Sequence, residues 1–271
     1  MLWIFFYSFG YKPDLYHSIA TDRLGLAQYQ LAASSTFFQT FMGTLRISIT
    51  GTALCFLIGF PFAYWLSVRV PPSRRPIFLA LILIPFWTNF LVRTIGWRIL
   101  LAPAGIFAGV LHFLGLHSTA LEILDTRGAV QLGVVYNYLP LMILPLYVAL
   151  DRLDPGLREA SKDLGAGRVR TLFKVTIPLV SPGIIAGLLL VFIPLSGDFI
   201  TATVLGGAKG NMAGRMIYDQ FLIAQNWALG SAMAVVLMLL IAVVVIFFGL
   251  LALTGRHIIG YRRRVELAIT A

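Results

Sequence analysis

The sequence predicts an all-α polytopic membrane protein, and three observations carry that expectation. The first is composition: 59% of the 271 residues are hydrophobic and only 12% are charged, whereas a soluble domain carries roughly 25% charge. The mean hydropathy of +0.87 agrees, and a bilayer replaces water around most of such a chain. The second is a succession of apolar runs of about the 20 residues that a membrane helix needs. The third is where the basic residues fall. Thirteen of the 21 Lys and Arg lie in three groups: Arg69, Arg74 and Arg75; Arg152, Arg158, Lys162, Arg168, Arg170 and Lys174; and Arg256, Arg262, Arg263 and Arg264. Each group lies just past an apolar run, which marks those ends as cytoplasmic.

In chain order, Met1–Phe9 is apolar and aromatic but too short to span, and it lacks the basic start of a signal peptide. It is expected to be the tail of a first membrane helix whose beginning is missing, with an interfacial anchor as the alternative. Gly10–Gln39 is polar, with Pro13, Asp14, Asp22 and Arg23, and reads as an outer loop with a short amphipathic piece. Phe41–Val68 is the first full span. Its Gly43, Gly51 and Gly59 make a smooth face for close helix approach, and Pro61 kinks its end. Val70–Pro76 is a basic turn. Ile77–Trp97 is the next span, ending in the aromatic, partly polar stretch Pro85–Thr94. Leu101–Gly128 reads as a long outer segment with short helices. Gln131–Leu150 spans again, interrupted by Pro140 and Pro145. After a polar loop, Pro182–Ile200 spans and is broken near its outer end by Pro194 and Gly197. Thr201–Leu229 is a Gly-rich outer segment, Gly230–Leu253 the last span and Gly255–Ala271 a basic tail. The sum is about six helices, the first truncated, forming a single transmembrane domain over residues 1–271.

Several functions are excluded or disfavoured. The net charge of +10 is concentrated in membrane-flanking groups and lacks the aromatic interleaving of a nucleic-acid surface, so no nucleic-acid partner is expected. Membrane lipid is the surrounding partner. Cys55 stands alone inside an apolar run and reads as a small buried hydrophobe. His112 and His117 have no metal-ligand companions. No Gly-x-x-x-x-Gly-Lys-Ser/Thr phosphate loop occurs, so the chain does not bind ATP in that way. A polytopic enzyme would need His, Asp or Glu gathered at one membrane face, and the acidic residues are scattered. A secondary transporter would show repeated halves, and no repeat is visible.

The most informative segment is the polar loop at about residues 151–178. A connection between spans needs only a few residues, yet this one is roughly 30 long. Asp154 suits a helix N-cap and Pro155 the first helical position. Leu157, Ala160, Ser161 and Leu164 share one face at helical spacing, and Gly165 suits the left-handed residue that ends a helix. A second short helix after Gly167 places Val169, Leu172, Phe173 and Thr176 on one side, and Pro178 stops it. The product is a stiff, bent protrusion with an apolar ridge and charged flanks. The run Glu159-Ala160-Ser161-Lys162-Asp163-Leu164-Gly165-Ala166, followed by Val175-Thr176-Ile177-Pro178, resembles the EAA loop of ABC-importer permeases, with Ser161, Val175 and Ile177 as conservative departures.

That resemblance implies the type I ABC-importer transmembrane fold and a non-catalytic permease subunit in a bacterial inner membrane. It implies as partners a second permease subunit, two ATP-binding-cassette ATPase subunits and an extracytoplasmic substrate-binding protein. It implies no cofactor in this chain, since ATP and Mg are bound by the ATPase. Glu159, Ala160, Ser161, Asp163, Leu164, Gly165 and Ala166 are then the ATPase-coupling residues, Glu159 offering a carboxylate and Gly165 allowing the bend. Further stretches, Pro85-Phe86-Trp87-Thr88-Asn89-Phe90, Ser196-Gly197-Asp198-Phe199 with Leu205-Gly206-Gly207, and Asp219-Gln220-Phe221 with Asn226-Trp227, are similar to the polyamine and opine branch, closest to the spermidine/putrescine permease family. The expected cargo is a polyamine, with an opine, phosphonate or ferric ion as alternatives.

Asp198 is the single carboxylate inside or at the edge of an expected span, and an intramembrane ionisable group is a functional candidate by default. A cationic cargo needs acidic or aromatic partners, so the expected substrate pathway is Asp198 with Trp87, Asn89 and Tyr138. The competing reading gives Asp198 only a capping task at the outer interface and the two aromatics an ordinary interfacial place. Arg93 and Arg98 are expected to snorkel to lipid headgroups, the alternative being that they face a binding protein's acidic surface.

Overall fold

Inside a bilayer the apolar runs must pair their backbone groups within their own segment, and the α-helix is the way a single run does so. The computed structural model describes residues 2–14, 16–113, 123–207 and 210–269. Among these the one β-pairing is an isolated bridge between Tyr11 and Ala20. The helices are α1 (Leu2–Tyr7), α2 (Ala27–Ala32), α3 (Ser35–Val68), α4 (Arg75–Trp87), α5 (Phe90–Leu101), α6 (Ile106–Phe113), α7 (Arg127–Asp151), α8 (Pro155–Asp163), α9 (Arg168–Thr171), α10 (Ile177–Ser196), α11 (Ile200–Leu205), α12 (Ala213–Leu222) and α13 (Trp227–Ile269).

The centre is a layer in which α3 and α10 flank α7. Its core includes Cys55, Ala63, Val134, Met142, Leu146, Val191 and Leu195, all sealed from solvent. A second cluster joins α13 to α2, α3 and α12 through Ala32, Phe41, Ala213, Leu229, Met233 and Leu237. Of the three glycines on the α3 face, two make the close approach. A Cβ on Gly51 would sit 3.0 Å from Leu195 Cδ1, and one on Gly59 would sit 3.1 Å from Met142 Cγ. Gly43 faces open space.

Five stretches among the described residues are long and apolar enough to cross a membrane: 36–68, 90–110, 127–151, 168–196 and 227–247. The second of these departs from the expected Ile77–Trp97, which is two helices. Thr88 leaves the helical region at ψ 153°, and its hydroxyl donates to the Pro85 carbonyl at 2.6 Å. Asn89 then accepts from the Leu91 and Val92 amides and starts α5. The prolines behave in the opposite way: α7 runs unbroken through Pro140 and Pro145, because packed neighbours tolerate the missing amides inside a membrane bundle.

The expected outer segment Thr201–Leu229 is not loose surface. Thr201, Ala202 and Leu205 of α11 are fully buried against α5 and α7. Gly133 makes the notch, since a Cβ there would lie 2.5 Å from Leu205 Cδ1 and 2.9 Å from Thr201 Cγ2. The last helix continues past Leu253 and Gly255, so the expected basic tail is an extension of α13. His117 and Glu122 lie outside the described residues.

Gly51→Leu is expected to force α3 from α7 and α10 and to destabilise the chain by about 1–3 kcal/mol, whereas Gly43→Leu leaves stability near that of the parent. Thermal unfolding in detergent measures both, and equal losses would contradict the packing described.

Candidate functional site: a cytoplasmic elbow and a buried carboxylate

The loop after α7 folds as an elbow. Asp154 caps α8, its Oδ1 accepting from the Gly156 amide at 2.9 Å, with Pro155 in the first position. Gly165 ends α8 at φ +80°. Its amide donates to the Lys162 carbonyl at 2.8 Å and the Ala166 amide to the Ser161 carbonyl at 3.1 Å, the paired bonds of a Schellman motif. Ser161 also meets Thr171 of α9 hydroxyl to hydroxyl at 3.0 Å, fixing the two arms. Ser161, Gly165 and Ala166 therefore shape the bend. Glu159, Ala160, Asp163 and Leu164 face outward, with Leu164 88% exposed.

Two details differ from the sequence pattern. The apolar side of the second arm is divided: Val169 and Phe173 are exposed, while Thr176 is buried and Leu172 packs on the central core. The arm is also continuous with the next span, a helix from Arg168 to Ser196, so Pro178 does not stop it. A regular turn would drive the Pro178 ring into the Lys174 carbonyl. The wide π turn at Leu172–Thr176 opens the helix there, the Ile177 amide donating to the Leu172 carbonyl five residues back.

The second feature lies where α10 ends. Gly197 caps α10, and the chain turns into α11 through Asp198. Asp198 is 6% exposed. Its Oδ1 accepts from the Thr201 amide at 2.9 Å, which secures the start of α11. Its Oδ2 is buried without a hydrogen-bond partner, and so is the Thr201 hydroxyl. Tyr138, itself buried, presents its hydroxyl toward this carboxylate. Tyr138 is near the middle of the 25-residue α7, so Asp198 stands well inside the span. The capping expectation describes Oδ1, which holds the Thr201 amide.

Of the other expected pathway residues, Tyr138 joins Asp198, and Trp87 and Asn89 sit at the α4–α5 break. Trp87 is 81% exposed. The Asn89 side-chain oxygen is occupied in capping α5. The break is linked to the carboxylate through Phe90, whose ring centroid is 6.0 Å from that of Tyr138.

Arg93 corrects the snorkelling expectation. Its Nε donates to Asn137 Oδ1 at 2.8 Å and its Nη1 to the Pro85 carbonyl at 3.1 Å. The guanidinium lies 5.3 Å from the Phe86 ring centroid and 5.6 Å from that of Phe90. Asn137, sealed from solvent, donates in turn to Thr94 at 3.1 Å. Arg98 likewise turns onto protein, donating to the Val204 carbonyl beside Asp125. The sequence reading missed this network because the side of a helix that an Arg occupies is settled by its neighbours; Asn137 at mid-span was the available signal.

Two cavities adjoin these elements. One of 640 Å³ opens at the outer ends of α3 and α7 and is lined by polar groups including Gln39, Thr40, Thr126 and Asn211. One of 320 Å³ lies behind Asp198, against Phe199 and Tyr218, whose rings stack at 5.0 Å.

A helical membrane unit with a bent cytoplasmic elbow is the architecture of a transport permease. Residues 56–259 match the family described as binding-protein-dependent transport system inner membrane component. The chain belongs to that family, as a multi-pass inner-membrane permease subunit. It is 43% identical over 212 residues to the spermidine/putrescine transport system permease protein PotB of Haemophilus influenzae, covering 78% of this chain and 74% of that one. Identity to PotB of Escherichia coli is 37% over 223 residues, covering 82% and 81%. The Escherichia coli inner membrane ABC transporter permease protein YdcU is 31% identical over 258 residues, covering 91% and 81%. The fold matches a chain of a bacterial ABC transporter that imports the acidic polysaccharide alginate, with TM-score 0.71, 16% identity and coverage of 85% and 84%. It also matches one of the MetNI methionine ABC transporter, with TM-score 0.61, 19% identity and coverage of 80% and 95%.

Asn137→Leu removes the partner of a guanidinium inside the bundle and is expected to destabilise the chain by about 1–3 kcal/mol. Thermal unfolding in detergent checks it; an unchanged midpoint would return Arg93 to the lipid interface.

Proposed function

We propose that this chain forms half of the translocation pathway of an ATP-driven polyamine importer, with spermidine and putrescine as cargo. The observation that carries the reading is the buried, half-satisfied carboxylate of Asp198 in a chain 43% identical to a spermidine/putrescine permease. A polyamine is an extended multivalent cation. A desolvated carboxylate oxygen beside the Tyr138 ring offers such a cation both charge pairing and a π face. Its second oxygen is held by Thr201, so the site is preorganised and cargo need not pay for ordering it.

The working assembly is this chain with a second permease subunit, two ATP-binding-cassette ATPase subunits and an extracytoplasmic binding protein that delivers cargo. ATP and Mg belong to the ATPase, and this chain is the non-catalytic part. The elbow is the coupling element: Glu159, Ala160, Asp163 and Leu164 meet the ATPase, and Ser161, Gly165 and Ala166 hold the bend rigid. Closure of the ATPase pair pushes the elbows, and the permease pair passes between inward- and outward-facing states. The elbow keeps its partner in both states while the spans rock, so the energy enters as a difference in contacts between the two.

Glu159→Lys and Gly165→Asp are expected to abolish uptake while the chain stays in the membrane. A Cβ on Gly165 meets nothing within 4 Å, but at φ +80° any side chain strains the bend, so Gly165→Asp tests the shape of the elbow and Glu159→Lys its contact with the partner. Wild-type uptake by both variants would remove the coupling role. Asp198→Asn is expected to raise KM for spermidine roughly tenfold, equivalent to about 1.4 kcal/mol, with assembly unchanged; identical kinetics would leave Asp198 a helix cap alone. The deciding experiment is uptake of labelled spermidine and putrescine by cells lacking their own polyamine importers, carrying the gene cluster with or without this chain. Uptake that depends on the chain and on ATP supports permease and cargo together. An assembled complex without uptake rejects polyamines and retains the permease.

A further inference from the structure

The cytoplasmic side holds an ion pair that neither the loop motif nor the pathway accounts for. Arg75, the first residue of α4, uses each nitrogen of its guanidinium on a different group. Nη2 donates to the Ser67 carbonyl at 2.7 Å and Nε to the Val70 carbonyl at 2.9 Å. Nη1 pairs with Asp151, the last residue of α7. The first two bonds close the end of α3 and its turn, where carbonyls lack helical partners. The third reaches the base of the elbow, three residues before the Asp154 cap.

The chemistry of Asp151 makes this pairing more than a chance contact. A carboxylate at a helix C-terminus faces the negative end of the helix dipole and is unfavourable there without a cation. Arg75 supplies that cation with 20% of its side chain exposed, against 37% for Asp151, so the pair is only partly open to water. The planar guanidinium spreads five N–H donors over three nitrogens in a fixed fork and so reaches three separated groups, where a lysine offers its donors from one point.

The elements so joined are the moving part and the site. α4 is a rigid rod of 13 residues, about 20 Å long. At one end stands Arg75. At the other lies the Thr88–Asn89 break, where Arg93 bonds back to the Pro85 carbonyl and Phe90 meets Tyr138 beside Asp198. We infer that the Arg75–Asp151 pair is a strap that carries displacement of the elbow into α4, and through α4 to the helix break next to the buried carboxylate. Arg75 and Asp151 are positioning residues in this scheme, which rests on the reading of the elbow as the coupling element.

The test is made on the complete importer in lipid vesicles, with spin labels on introduced cysteines and distances read by double electron–electron resonance. Ile84→Cys reports the far half of α4 and Arg170→Cys the second arm of the elbow, an exposed position not among those placed against the ATPase, and each is paired with Leu239→Cys on α13. All three positions are exposed, while the native Cys55 is fully buried and stays unlabelled. In the parent, ATP with vanadate is expected to shift both distances. In Arg75→Gln the elbow shift persists and the α4 shift is lost. Asp151→Asn, which keeps both carbonyl bonds of Arg75, gives the same split if Arg75→Gln assembles poorly, and Asp151→Glu restores the parent response. A merely structural role would alter the resting distances or the assembly and leave the ATP response of α4 in place. An α4 shift that survives in Arg75→Gln and Asp151→Asn overturns the strap while the elbow keeps its role. A parent elbow that does not move with ATP overturns the coupling reading and the strap with it.

Discussion

A backbone amide or carbonyl inside a bilayer has no water to bond, so a helix that ends within the span must be closed by side chains. This constraint organises the permease. Two interruptions lie within its helical layer, and each is sealed by a short polar residue. At the first, Thr88 bonds the Pro85 carbonyl and Asn89 takes the Leu91 and Val92 amides. At the second, Asp198 takes the Thr201 amide. The sealing group determines what else the break can do. A neutral amide such as Asn89 is spent on capping, whereas a carboxylate has a second oxygen, and that of Asp198 is left buried without a bond.

A carboxylate buried in such a place is costly, and the Thr201 amide and the Tyr138 hydroxyl are the polar groups that face it. α11 is locked into the Gly133 notch of α7, which holds Asp198 level with Tyr138. Across the same helix, Asn137 anchors Arg93 and through it the α4–α5 break. Neighbouring positions 137 and 138 of one helix thus hold the two interrupted segments, one through a cation and the other beside an anion.

The elbow uses different means for a related end. It lies outside the bilayer, where water can satisfy the backbone, yet it is built stiff: an Asp cap, a Schellman closure at Gly165 and a hydroxyl pair between its arms. Its second arm runs through the π turn into the span that ends at Ser196, two residues before Asp198. In the proposed coupling scheme, α10 is the direct line from the elbow toward Asp198. In the same scheme the pair of Arg75 with Asp151 is the second line, through α4.

The sequence by itself determined the class of the molecule, because apolar length and the placement of basic residues answer to the bilayer and need no tertiary partner. It also determined the elbow: Asp154-Pro155 and Gly165 act over a few residues, and their capping is local physics. Asp198 was legible as a lone carboxylate among apolar neighbours. Only the tertiary structure decided where helices continue and where they break. Pro140 and Pro145 look like interruptions and are not, because neighbouring helices compensate them. Thr88 and Asn89 look like the polar end of a span and are its interruption. Thr201–Leu205 read as outer surface and is core, since the notch that receives it is an absent side chain on a helix some 70 positions earlier in the chain. The direction of Arg93 was settled in the same way, by Asn137 across an interface. Each of these outcomes depends on which helix faces which, and periodicity along one segment contains no information about the neighbour that a face will meet.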